Sequence, residues 1–317
     1  MGEAVQHISV MRDRCVDLLA PAILNSTKPV VVDCTLGLGG HTEALLERFE
    51  NLTVIGIDRD QSALAKSRER LARFGDRAKT AHAVFDEITD VVTNFGFSHI
   101  SGALFDLGVS SMQLDEVNRG FSYSQDAPLD MRMDTSRGIT AAEILNTYEP
   151  GKLVNILRAY GEEKFATRIV ENIVKARAIA PMNSTQELAE LVKKSIPAAT
   201  RRTGGNPSKR TFQALRIEAN DELGAIERAI PQALELIEVG GRVVVMSFQS
   251  LEDRIIKEIF TEVTTSKSPR DLPIELPEFA AKFKLVIRSS EKPTAQEVEE
   301  NSRAASVRLR AIEKVVA

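Results

Sequence analysis

Two short apolar runs that each close on an aspartate constrain the fold of this chain more than any other feature. Pro29-Val30-Val31-Val32-Asp33 and Thr53-Val54-Ile55-Gly56-Ile57-Asp58 are rich in β-branched residues and show no alternation of apolar and polar positions. Strands of that kind are buried on both faces, which is the condition of a parallel sheet sandwiched between helices. The segments between them support the same reading. Gly37-Leu38-Gly39-Gly40 is a loop, Thr42 to Phe49 reads as a helix, and Ser62 to Phe74 is amphipathic at helical spacing. A weaker strand is expected over Lys79 to Val84 and a fourth over Ile100 to Leu107. Strand and helix in strict alternation predict an α/β fold of the Rossmann-like, open-sheet type.

The pattern changes after the fourth strand. From Leu114 to Arg216 no stretch reads as a strand. Phe165, Ile169, Ile173 and Ala176 form one helical stripe, and Ser184-Thr185-Gln186-Glu187 is a capping box that opens another helix. After Thr211 helical character runs to Val239. Pro231 is expected to start a second helix at its first turn, and Gly240-Gly241 to stop it. Arg242 to Phe248 is a strong strand, Ser250 to Asp253 opens a further helix, and Leu285 to Ile287 and Val307 to Leu309 look like closing strands. The expected organisation is a sheet domain in two pieces, residues 1–113 and 217–317, interrupted by a helical insertion over 114–216.

Composition excludes several classes. No apolar run approaches the roughly 20 residues of a membrane helix, and Met1 to Asp17 lacks an uninterrupted signal-peptide core, so a cytoplasmic protein is expected. Two cysteines and four scattered histidines give neither a disulfide framework nor ligand spacing for a metal. With a net charge of −4, binding to nucleic acid must rest on a local basic patch. Such a patch is available. Lys193, Lys194, Arg201, Arg202, Lys209, Arg210 and Arg216 occur in one stretch that holds no Asp or Glu. They suit phosphate contacts, or else a solvated loop between helices.

Open α/β sheets bind ligands beyond the carboxyl ends of their strands. There the sequence places Asp33, the glycines Gly37, Gly39 and Gly40, and Asp58, whose carboxylate can accept from both hydroxyls of a ribose. The acid precedes the glycines, and the third glycine of G-x-G-x-x-G is missing. A dinucleotide needs its pyrophosphate cradled, whereas S-adenosyl-L-methionine has none, so the latter cofactor is expected rather than NAD. His41 is either a locally bonded helix-start residue or a neighbour of the cofactor. Phe85 either stacks on adenine or packs in the core. Asp106 closes the fourth strand, the end that faces a transferred methyl in this fold class. It can accept a proton from an acceptor amine, or serve only as a ligand of cofactor or loop. Asp130, Arg132 and Asp134 suit an internal ion-pair network, or else line the substrate cleft.

Several long strings carry a more specific signal. Asp106-Leu-Gly-Val-Ser-Ser-Met-Gln-Leu-Asp115, Arg119-Gly-Phe-Ser-Tyr123, Asp126-Ala-Pro-Leu-Asp-Met-Arg-Met-Asp134, Tyr160-Gly-Glu-Glu-Lys-Phe-Ala166, Arg210-Thr-Phe-Gln-Ala-Leu-Arg-Ile217 and Ser247-Phe-Gln-Ser-Leu-Glu-Asp-Arg254 occur in that order. In these the chain resembles the bacterial ribosomal RNA small-subunit methyltransferase H family over nearly its whole length. The resemblance implies methyl transfer from S-adenosyl-L-methionine to N4 of a cytidine in the decoding region of 16S ribosomal RNA. It implies cofactor contacts at Gly39, Gly40, His41, Asp58, Phe85, Asp106 and Gln113, with Asp106 as the catalytic candidate. The helical insertion would then recognise RNA through Arg201, Arg202, Lys209, Arg210 and Arg216, on naked RNA or on the small ribosomal subunit. The chain departs from the family pattern at Cys34, Leu36 and Leu38, and at Gln249, where the family has His. Other readings are a methyltransferase with a different RNA, DNA or protein acceptor, a NAD oxidoreductase, and a non-catalytic RNA chaperone that binds the cofactor. Oligomeric state is left open, a homodimer being one arrangement.

Overall fold

The computed structural model describes residues 9–198, 206–269 and 279–316. In chain order the first elements are α1 (Arg12–Asn25), β1 (Val30–Asp33), α2 (Gly40–Arg48), β2 (Thr53–Asp58), α3 (Gln61–Leu71), β3 (Ala78–His82), α4 (Ile88–Asn94) and β4 (Ile100–Asp106). A run of helices follows: α5 (Ser111–Asp115), α6 (Ala141–Thr147), α7 (Pro150–Ala159), α8 (Ala166–Arg177), α9 (Thr185–Ser195) and α10 (Lys209–Asn220). The last group is α11 (Glu222–Leu236), β5 (Ile237–Ser247), α12 (Ser250–Thr264), β6 (Phe283–Leu285), α13 (Ala295–Glu300) and β7 (Arg308–Lys314). The chain divides into two compact units, one of residues 1–108 with 223–317 and one of 109–222.

The first unit is built on one seven-stranded Rossmann-like sheet, in the order β3-β2-β1-β4-β5-β7-β6. The first five of these strands run parallel, and β7 lies antiparallel to both β5 and β6. All four residues of β1 are buried, as are the first six of β4, because alternate side chains feed two separate cores. Val30, Val32, Ile55, Ile57, Ala103, Phe105, Val243 and Val245 pack on one face with residues of α4, α11 and α12. Val31, Val54, Leu104, Val244 and Met246 pack on the other with residues of α1, α2 and α3. The period of two in a strand, applied to runs with no polar member, gives this double burial directly.

The second unit is helical. Its core joins Phe121, Leu129, Met131 and Met133 to the inner faces of α6 through α10. Among its described residues β-pairing is limited to the bridge between Pro128 and Ser184. Ser184 caps α9 by accepting from the Glu187 N–H at 3.3 Å, as its sequence pattern predicts. Asp130 takes a two-pronged ion pair from Arg132 at 2.7 and 2.8 Å, and Asp134 binds Arg137.

Two local expectations are corrected. Pro231 does not start a helix: α11 runs through it, and the break falls at Asp221, whose φ is 48°. The buried stripe of Ile226, Ala229, Ile230 and Ala233 holds α11 on the sheet on both sides of the proline. Gly240-Gly241 does not stop the helix either. Ile237 already pairs with Ile100, and the next pair is Arg242 with Gly102, so the glycines form a bulge inside β5. Gly240 adopts φ 85°, and a Cβ on Gly241 would sit 2.9 Å from the Ser101 carbonyl oxygen, so the detour requires glycine.

Candidate active site

The segment from Cys34 to Gly39 joins β1 to α2 and is fastened to both neighbouring strands. On one side the Cys34 N–H donates to the Leu104 carbonyl at 2.8 Å, and the Asp106 N–H donates to Thr35 Oγ1 at 2.6 Å. On the other side the Leu36 N–H donates to the Ile57 carbonyl at 2.9 Å, and the Gly37 N–H to Asp58 Oδ2 at 2.7 Å. The carboxyl ends of β2, β1 and β4 therefore form one continuous edge. Gly37 and Gly39 adopt φ of 52° and 78°, a region that favours glycine, and Gly39 delivers the chain into α2. The leucine at 36, one of the departures from the family pattern, lies over Gly56: a Cβ there would come within 2.6 Å of it. Arg70 of α3 braces the loop, giving Nη1 to the Leu38 carbonyl at 3.3 Å and Nε to Glu43 at 2.8 Å.

Three aspartates stand along this edge, and burial raises the carboxyl of each to about 6. Asp33 is held by Thr42 Oγ1 at 2.7 Å and by the Thr35 N–H. Asp58 accepts from Gly37 and from the Asp60 N–H at 2.8 Å. These donors favour the ionised forms and only partly offset desolvation. Asp106 is placed differently. Its side chain is 26% exposed, its Oδ1 is buried with no hydrogen-bond partner, and its Oδ2 lies 4.0 Å from His41 Nδ1. The charge of His41 favours its ionised form, whereas Asp33 and Glu252 oppose it.

The residues expected at the cofactor thus divide. Gly39, Gly40, His41, Asp58 and Asp106 belong to the one edge. His41, at the start of α2, gives Nε2 to the Val10 carbonyl at 3.1 Å. Phe85 follows β3 and meets Phe105 edge-on, with ring centroids 5.9 Å apart. Gln113 lies in the second unit, where its Oε1 accepts from the Ser110 N–H at 3.1 Å and its own N–H donates to Ser110 Oγ, closing a capping box on α5. Two participants escaped sequence reading. Thr35 is an ordinary loop residue until its hydroxyl is seen under Asp106. Glu252 stands three residues after the helix cap Gln249 and accepts from the Phe248 N–H, the Gln249 N–H and Gln249 Nε2 at 2.8 to 3.2 Å, fixing the turn that leaves β5.

Of the basic residues, Lys209 and Arg210 are exposed at the start of α10, and Arg210 donates to the Glu162 carbonyl at 3.0 Å. Arg201 and Arg202 lie outside the described residues. Arg216, expected among the phosphate contacts, is corrected: it grips Glu222 with two bonds of 2.7 and 2.9 Å, and its side chain is 15% exposed. Its place on α10 turns it towards this acid and away from solvent.

A model of the MraW methylase family matches residues 4–315. The chain belongs to the MraW methylase family. Ribosomal RNA small subunit methyltransferase H of Renibacterium salmoninarum is 56% identical over 99% of this chain and 96% of its own length. The protein of the same name from Streptomyces avermitilis is 55% identical, over 98% and 97%. Among solved structures, a ribosomal RNA methylase from Streptococcus thermophilus superposes on this MraW-family chain with a TM-score of 0.43 at 14% identity, covering 98% of this chain and 99% of that one.

Proposed function

We propose that this MraW-family chain transfers a methyl group from S-adenosyl-L-methionine to N4 of a cytidine in the decoding region of 16S ribosomal RNA, in the cytoplasm. The observation that carries the reading is Asp106 at the end of β4: a partly exposed carboxylate, raised to about 6 by burial, with one oxygen lacking a protein partner. The names of the relatives supply the class of RNA.

The chemistry of the edge fits the cofactor. Asp33, Asp58 and Asp106 are all carboxylates, a set that attracts a cationic sulfonium and repels a pyrophosphate. Gly39, Gly40, His41 and Asp58 would hold the cofactor, with Phe85 and Gln113 as further candidates. Bound there, S-adenosyl-L-methionine supplies an electrophilic methyl. An exocyclic amine is a weak nucleophile because its lone pair is delocalised into the ring. Asp106 accepts a hydrogen bond from that amine, concentrates the lone pair on nitrogen, and takes the proton that the methylated nitrogen must lose. Thr35 and the strand register fix Asp106 for this role before any ligand arrives.

Residues 109–222 would recognise RNA, with Lys193, Lys194, Lys209 and Arg210 reaching phosphates. A base in folded RNA has to be splayed out to meet the methyl. The test is transfer of a tritiated methyl to purified small subunits, naked ribosomal RNA and DNA, followed by nucleoside analysis. Label is expected as N4-methylcytidine, and Asp106→Ala abolishes it with RNA binding retained. Label confined to protein or DNA would refute the proposal.

A further inference from the structure

We propose that His41 is a positioning residue for Asp106: as an imidazolium it holds this side chain as a carboxylate, ready to accept from the acceptor amine. The proposal rests on the reading of Asp106 given above and adds a second group to it.

The imidazole is oriented by the protein. A carbonyl oxygen only accepts, so the Nε2 atom 3.1 Å from the Val10 carbonyl carries a hydrogen. Nδ1 is then the nitrogen that carries the titrating proton, and it is the atom 4.0 Å from Asp106 Oδ2. The ring is 4% exposed, and it stands at the start of α2, next to the glycines that fix the loop. Its neighbours make the pairing selective. Asp106 faces Asp33 of β1, Glu252 of α12, and the buried thiol of Cys15 in α1. Asp33 and Glu252 oppose a negative charge on Asp106, the Cys15 thiol stays neutral because burial pushes it up, and the charge of His41 on α2 favours the carboxylate. Proton movement balances without another reactant. The amine N–H bond breaks and its electron pair stays on nitrogen. The proton passes to the Asp106 carboxylate, which returns it to water after product leaves.

Two measurements test this. In the first, the imidazole of His41 is assigned by NMR and titrated in the intact protein without ligand, and again in Asp106→Asn. Loss of the anion is expected to lower the His41 midpoint by about one unit or more. A midpoint that stays put overturns the proposal, whatever the activity, and this measurement does not depend on a His41 variant folding. In the second, His41→Gln keeps an amide donor for Val10 and has no titratable nitrogen. Its single-turnover methylation of small subunits is expected to fall about tenfold near pH 6 and progressively less towards pH 8.5, the acid limb moving to higher pH. An equal loss at every pH would mark a purely structural or cofactor contact and overturn the proposal. Normal methylation with uncoupled titrations refutes the role of His41 alone. Coupled titrations in a wild-type protein that methylates no RNA refute the reading of Asp106, and this role with it.

Discussion

Asp33, Asp58 and Asp106 lie where ionisation works against folding. A buried carboxyl at about 6, against its ordinary value of 3.8, binds its proton more tightly in the folded state than in the unfolded one. The associated stability is therefore fully present below about pH 4 and is lost as pH rises through about 6. Asp106→Asn removes the charge and keeps the shape. At pH 8 it should stabilise the protein by about 1–3 kcal/mol, with the gain shrinking towards pH 4. The same change should lower methylation about 10²–10⁴-fold. Thermal melts at several pH values check the first part, and a variant less stable than wild type at pH 8 would contradict it. Asp58 and Asp106 were legible in the sequence because each closes a β-type run, and a strand end is a local feature. Thr35 and Glu252 were not, because their roles depend on which backbone groups come to lie beside them. Arg216 shows the reverse error: a basic run reads as one surface, yet the helix turns one member of it inward to Glu222.

At the scale of elements, the parallel strands were readable because burial on both faces removes polar residues from the run. The turns between late elements were harder. Gly-Gly can end a helix or bulge a strand, and Pro can open a helix or sit within one. Pairing of Ile237 with Ile100 decides the first case, and packing of α11 decides the second. Pro231 consequently leaves a missing N–H donor on the exposed side of an otherwise continuous helix. Pro231→Ala restores that donor and should raise stability by about 1–2 kcal/mol in chemical denaturation. A destabilised variant would show that the proline is adapted to a bend that the sheet requires. Ser184→Ala tests the second unit in the same way. Loss of the cap on α9 should cost about 1 kcal/mol, and an unchanged denaturation midpoint would count against the bond to Glu187 as a contributor.

The whole molecule is two units threaded by one chain, and the helical character of the second was legible because its sequence holds no uninterrupted β-type run. Its proposed RNA role makes a prediction on salt. Reversing Lys209 and Arg210 to glutamate should weaken binding to 16S ribosomal RNA and flatten the plot of log affinity against log salt by about 1.4–1.8 units if both touch phosphate. An unchanged slope would remove these two residues from the interface. The insertion also has a bearing on biosynthesis. Strand β4 is complete at Asp106, but its partner β5 begins only at Ile237, about 130 residues later. At about 5–20 residues per second the ribosome needs on the order of ten seconds to deliver it. Over that interval the nascent chain carries a half-finished sheet, with the open rim of β4 and the flank of Phe105 still awaiting α11 and β5. A translation product stalled inside the insertion would present that sticky rim to its neighbours.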